Sequence, residues 1–160
     1  MNRRTALSYT LALLACSVME VHADDGPAVT ARDAWARATP PGSAVAAVYL
    51  TLVGGAQDDE LVAATTSVAA MTMIHSMTES DGVSRMRETS SVAIPAGGKV
   101  ALAPRGTHIM LMKLGRPLAA GDHFDVELTF AHAGRRVVSV TVLAPDQAPP
   151  ATADGHPHQH

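Results

Sequence analysis

The chain has 160 residues, of which 47% are hydrophobic and 17% are charged, and its formal net charge at pH 7 is −3. This length and composition predict one folded domain with a substantial core and exclude a largely disordered chain. The negative charge and the lack of basic runs exclude a nucleic-acid surface, because phosphate binding needs clustered Lys and Arg. Only 3% of the residues are aromatic, so aliphatic side chains and Met must fill most of the core.

The first 23 residues have the pattern of an export signal. Arg3 and Arg4 precede an apolar stretch, residues 6–18, that is too short to span a membrane as a helix. Small side chains up to Ala23 predict cleavage after that residue, which gives a periplasmic protein with no membrane span. One alternative stays open, because residues 13–16 resemble a lipoprotein signal in which Cys16 would carry a lipid anchor.

The next part of the chain alternates between short apolar segments and turn signals. Nine segments are predicted to be strands, at residues 28–35, 44–53, 60–66, 69–77, 84–88, 99–103, 107–114, 123–131 and 135–144. No amphipathic helix and no internal repeat is visible in the sequence. Strands at this spacing predict a single all-β domain over residues 24–146, built as an antiparallel sandwich or barrel.

Residues 147–160 differ in composition from the rest and are predicted to form a disordered tail, because they are rich in Ala and Pro and show no apolar periodicity. The tail ends with His156, His158 and His160. A flexible group of imidazoles suits Cu(II) or Zn(II) better than it suits a rigid single-ion site. The alternative is a solvated tail without function.

The segments around His75 and His108 hold the donors of a predicted metal site. Alternate side chains of a strand share one face, so His108 lies on the same face as Met110. The Asp81-Gly82 pair predicts a hairpin that folds Met86 back towards His75. Two hairpins would then supply one His and one Met each, which makes a His₂Met₂ set.

The donor types of this set favour Cu(I), because neutral thioethers are soft ligands. Each Met taken alone is more often core packing, and a lone His is more often a hydrogen-bonded polar residue. The predicted domain contains no Cys, so a blue-copper electron-transfer centre is excluded. His123 and His132 are interpreted as surface residues, and Trp35 and Tyr49 as core or site-edge packing.

The spacing His-x₁₀-Met-x₂₁-His-x-Met resembles the signature of the periplasmic copper chaperones called PCuAC. The resemblance extends over about residues 29–141 and includes further short motifs. These are Ala34-Trp35-Ala36-Arg37, residues 46–50, Ile94-Pro95-Ala96-Gly97-Gly98 and residues 108–112. This sequence departs from the family pattern at Ser76, where Glu is frequent, at Gly54, where Asn is common, and at Arg105, which interrupts a turn that is often Gly-Gly.

The resemblance implies a cupredoxin-like β-sandwich with Greek-key connections, and it implies that His75, Met86, His108 and Met110 bind Cu(I). It also implies a chaperone that delivers copper for the assembly of cytochrome c oxidase, to an oxidase subunit or alongside a Sco-type thiol protein. Two other function classes stay open at this point. They are an exported β-sandwich that only binds other proteins, and a small copper redox enzyme, although no catalytic triad or nucleophile motif is visible.

Overall fold

The computed structural model describes residues 28–80 and 82–150. The predicted export signal and the three tail His residues lie outside this part of the chain. Ten strands make up the described fold: β1 (Thr30–Arg37), β2 (Val45–Val53), β3 (Asp59–Thr66), β4 (Ala69–Ser80), β5 (Val83–Glu88), β6 (Val92–Ile94), β7 (Lys99–Leu102), β8 (His108–Leu114), β9 (His123–Phe130) and β10 (Gly134–Leu143). The described residues form no helix, and so none that could cross a membrane.

The strands form one curved sheet in the order β5-β4-β8-β2-β1-β10-β9-β3-β6, with β7 paired to β2 beside this path. Nearly all neighbours are antiparallel, and β1 with β10 is a parallel pair. Curvature brings β3 back towards β4, where the Thr72 hydroxyl donates a hydrogen bond to the Ala64 carbonyl. The all-β, cupredoxin-like sandwich is therefore confirmed, with a mixed sheet in place of a purely antiparallel one.

The core lies between the two layers that this curvature creates. Strands with strict alternation point their apolar residues inward, as in β9, where Phe124, Val126, Leu128 and Phe130 are buried and the residues between them are more exposed. Such two-residue alternation fixes which face of each strand is exposed to solvent. The same rule places Ile74 of β4 in the core cluster.

The sequence prediction is correct for nine strands and differs in two details. The three-residue strand β6 was missed, because it is shorter than the segments that periodicity can detect. The predicted second hairpin, which would carry His108 and Met110, is also wrong. Both residues lie on β8, and β8 pairs with β4 and β2, while β7 pairs with β2.

A β-bulge in β1 decides where Trp35 points. Between Arg32 and Trp35 the pairing with β2 shifts by one residue, and Asp33 has a positive φ of 56°. Asp tolerates this left-handed conformation better than most residues. Because a one-residue shift reverses the faces of a strand, the bulge turns Trp35 outward to meet Tyr49, while Ala36 stays in the core.

Two of the departures from the family pattern lie at demanding backbone positions. A Cβ at Gly54 would lie 2.0 Å from the Pro95 carbonyl oxygen, so this chain requires glycine there. Arg105 has a φ of 65°, a conformation that costs about 1–2 kcal/mol for a residue other than glycine. The turn that contains Arg105 leads directly into β8 and so fixes the start of that strand.

Candidate metal centre

Two histidines on adjacent strands form the centre of the site. His75 of β4 and His108 of β8 are register partners, and their ring centroids lie 5.9 Å apart with perpendicular ring planes. Their chain neighbours Ile74 and Ile109 are buried in the core, so both imidazoles lie on the outer face of the sheet. The structure thus brings together the two His residues that the sequence singled out.

All six methionines of the described residues lie on this same outer face. They form three cross-strand pairs: Met77 with Met86, Met73 with Met110, and Met71 with Met112. The His pair lies between the first two of these pairs, so Met86 and Met110 are both diagonal neighbours of His75. Diagonal neighbours on a sheet are about 7–8 Å apart, within reach of long side chains.

None of these methionines belongs to the buried core cluster. The interpretation of Met as core filler, which the sequence left open, is therefore wrong for this domain. Met86 is 47% exposed and Met71 is 38% exposed, whereas Met73, Met110 and Met112 are half-buried. The thioethers are accessible from solvent.

The turn before β8 sets the tautomer of neutral His108. Its Nδ1 lies 3.0 Å from the Gly106 carbonyl oxygen, which can only accept a hydrogen bond, so Nδ1 carries the proton. The turn is held by hydrogen bonds from Ala103 N to Thr107 O and from Gly106 N to Ala103 O. The Nε2 lone pair of a neutral His108 is then free for a metal, in the arrangement typical of metal-binding His.

His75 has an unmet bonding requirement. Its Nδ1 is buried and has no hydrogen-bond partner, which is costly for a polar atom. A bond between this nitrogen and a metal ion would offset that cost. Within residues 28–80 and 82–150, no three side chains of His, Cys, Asp and Glu form a metal-binding group. The neighbouring thioethers are the further donors that these residues place beside the His pair, and a soft metal ion would fit such a donor set.

An aromatic stack supports the outer side of His108. The Tyr49 ring lies 6.2 Å from the His108 ring and 4.5 Å from the Trp35 ring, and the Arg37 guanidinium lies 5.2 Å above Trp35. Burial raises the pKa of Tyr49, and the charge of Arg37 offsets only part of that effect. Tyr49 is thus a neutral phenol that restrains the imidazole. Sequence reasoning left Trp35 and Tyr49 between core and site edge, because it could not detect the bulge.

The remaining His residues of the described part lie away from this centre. His123 and His132 are both exposed, as predicted. His132 borders a cavity of about 250 Å³ that Asp58, Asp59 and Glu60 also line. Burial would raise the pKa of Asp59, but hydrogen bonds from the backbone N–H groups of His132, Glu60 and Ala133 hold it below its ordinary value. This carboxylate therefore fixes the β9–β10 turn.

The start of the tail lies on the same face as the metal centre. The Arg37 guanidinium donates hydrogen bonds to the carbonyls of Ala144 and Gln147, at 2.7 and 2.5 Å. The same guanidinium covers Trp35, so the chain leaves the domain beside the aromatic stack. His156, His158 and His160 themselves lie outside the described residues.

The fold is that of a PCuAC domain, as two solved structures show. The PCuAC domain of PmoF1, in its apo form, is 26% identical, with coverage of 76% of this chain and 98% of that domain and a TM-score of 0.64. The Cu(I) form of DR1885 from Deinococcus radiodurans is 31% identical, with coverage of 79% of this chain and 85% of that protein and a TM-score of 0.60. The predicted resemblance to the PCuAC family is confirmed.

The sequence also matches the family model described as "Putative lipoprotein LpqE-like" over residues 29–142. The chain belongs to this LpqE-like family. A relative from Leifsonia xyli subsp. xyli, named "Putative lipoprotein Lxx21020", is 32% identical over 145 residues, which are 86% of each chain. The family match thus extends over the β-sandwich to within one residue of the end of β10.

The hydrogen bond to Gly106 predicts the tautomer of His108. Neutral His108 should carry its proton on Nδ1, because a carbonyl oxygen cannot donate. Two-bond ¹H–¹⁵N correlation spectra of the metal-free protein should show a protonated Nδ1 and an unprotonated Nε2 for this residue. The exposed His132 serves as the comparison. A proton on Nε2 of His108 would contradict this assignment.

Proposed function

We propose that this chain is an exported copper carrier that binds one Cu(I) ion through His75, Met86, His108 and Met110. The main support is the His pair on adjacent strands, 5.9 Å apart between ring centroids, with thioethers on both sides. The unpartnered Nδ1 of His75 adds to it. A solved relative with 31% identity is a Cu(I) form, which agrees with this ion.

The chemistry of the four side chains favours the reduced ion. Imidazole and thioether are neutral donors, and thioethers select Cu(I) over hard cations. A site with two such imidazoles and two thioethers leaves the positive charge of the ion uncompensated, which disfavours the doubly charged Cu(II). The protein would therefore hold copper without cycling it, which is the behaviour of a carrier and not of an enzyme.

Differences in exposure suggest how the ion leaves. Met86 lies on the edge strand β5 and is 47% exposed, whereas His108 is 4% exposed and held by the Gly106 carbonyl. A donor from another protein would replace Met86 first and His108 last. A thiolate is an anionic soft ligand and would displace a thioether readily. The proposed recipients are a copper-accepting subunit of cytochrome c oxidase or a Sco-type thiol protein.

The proposed site can be tested with Met86→Leu and Met110→Leu. Leucine keeps an apolar side chain of similar volume but removes the sulfur, so the fold should persist. In anaerobic competition with a chromophoric Cu(I) chelator, we expect each single variant to bind its tightest ion at least about 10-fold more weakly, since even loss of an outer-shell partner costs about 10–100-fold.

The matched control is Met77→Leu, which removes a thioether on the same face that is not among the proposed ligands. This variant should compete for Cu(I) as the unchanged protein does. Equal affinities for the control and for the double variant Met86→Leu, Met110→Leu would refute the proposed ligand set.

We also propose that the tail, residues 147–160, binds Cu(II) through His156, His158 and His160. The support is its composition and its starting point, because Gln147 is hydrogen-bonded to Arg37 beside the aromatic stack of the site. The 13 residues that follow Gln147 could extend at most about 45 Å, at roughly 3.3–3.6 Å per residue. The tail could therefore hold a Cu(II) ion at or near the outer face of the sandwich.

Removal of residues 148–160 should abolish Cu(II) binding and leave Cu(I) affinity unchanged. Gln147 is kept so that its contact with Arg37 survives. Cu(II) binding is followed by isothermal titration calorimetry, and Cu(I) binding by chelator competition. A variant with all three tail His residues changed to Ala is the matched control for chain length. An undiminished Cu(II) stoichiometry in both variants would exclude the tail site.

We infer that the protein is exported and anchored to a membrane by lipid on Cys16, with residues 24–146 as the copper-binding domain. The lipoprotein names of the family and of the Leifsonia relative favour this anchor over a soluble periplasmic form released after Ala23. Mass spectrometry of the mature protein from cells should find acylated Cys16 at the N-terminus. An unmodified chain that begins at Asp24 would contradict the lipid anchor and support the soluble form.

A further inference from the structure

Three methionines on the site face have no place in the proposed His₂Met₂ centre but lie next to one another. Met71 and Met73 alternate along β4, so they share the outer face. Met112 of β8 is the register partner of Met71 and a diagonal neighbour of Met73. Cross-strand partners have Cβ atoms about 4.5–5.5 Å apart, and diagonal neighbours are about 7–8 Å apart. The flexible thioether side chains can therefore bring three sulfurs to one point.

Packing alone does not account for these side chains. None of the three belongs to the core cluster, and Met71 is 38% exposed. Open sheet positions ordinarily hold β-branched or polar residues. The next position of this row is Val45, the partner of Met112 on β2. Val45 is 49% exposed and has no donor atom, so the thioethers end at Met112 and form a bounded group.

We propose that Met71, Met73 and Met112 form a second site for a soft monovalent ion, Cu(I) or Ag(I). Three neutral thioethers without a carboxylate or an imidazole select soft ions and reject Zn(II), Ca(II) and Mg(II). The site is more exposed than the His pair and lacks imidazole donors. It therefore binds its ion more weakly than the first site.

The second site is next to the first. Met73 is the register partner of Met110, which belongs to the proposed His₂Met₂ centre. An ion held by Met71, Met73 and Met112 is thus one cross-strand pair away from His75 and His108. Such an ion can pass to the stronger site by exchange of one thioether at a time. This site can bind even if the first does not, so the two proposals stand or fall separately.

Methyl NMR with Ag(I) tests the second site, because each methionine gives its own signal. The full-length protein carries ¹³C only in the methionine methyl groups, and single Met→Leu variants assign the six signals of the domain. We expect the first equivalent of Ag(I) to shift the methyl signals of Met86 and Met110. A second, weaker and saturable step should shift those of Met71, Met73 and Met112 together.

The double variant Met71→Leu, Met112→Leu should lose the second step and keep the first. Met77→Leu is the control, and it should keep both. Unmoved signals of Met71 and Met112 at saturating Ag(I), or one step in which all signals move together, would overturn the second site. Unmoved signals of Met86 and Met110 beside a normal shift of the other three would instead count against the His₂Met₂ site and leave the second site supported.

Discussion

The register between β4 and β8 is the constraint on which the site depends. It places His75 opposite His108 and Met73 opposite Met110. A slip of one residue would turn His75 and its methionine neighbours into the core and bring Ile74 out to solvent. The register is protected by the core itself, because Ile74, Ile109 and Leu111 are all buried on the inner face. Apolar packing on one side of the sheet thus positions the proposed metal donors on the other.

The outer face combines rigid and adaptable parts. His108 is fixed by the Gly106 carbonyl and by the ring of Tyr49, which in turn packs on Trp35. The methionine side chains have three rotatable bonds each and a polarizable sulfur. A soft ion would therefore find one imidazole, that of His108, already oriented, and sulfurs that adjust to the ion. This division suits a protein that must bind an ion firmly and yet release it.

Much of this could be predicted from the sequence, and the failures have physical causes. Alternation along a strand is local, so the shared face of Met73 and His75 was readable, as was the hairpin that returns Met86. Pairing between distant strands is not local, and no pattern showed that β8 lies beside β4 and that β7 pairs with β2. The bulge at Asp33 was also hidden, because it depends on a single residue with a positive φ. Outward-facing Trp35 follows from that bulge.

The separation of the donors from the core has a consequence for how the protein is made. In many small metal proteins the ion is part of the folded interior, and the empty chain unfolds. Here the hydrophobic core cluster consists of aliphatic and Phe side chains and contains no Met. His108 is buried, but its neighbour Ile109 points into the core, so His108 lies on the other face of the sheet. The domain can therefore fold before an ion binds. Release of the ion would leave the folded core intact. The scaffold would thus persist while the proposed site is empty, although a bound ion would add stability by offsetting the unpartnered Nδ1 of His75.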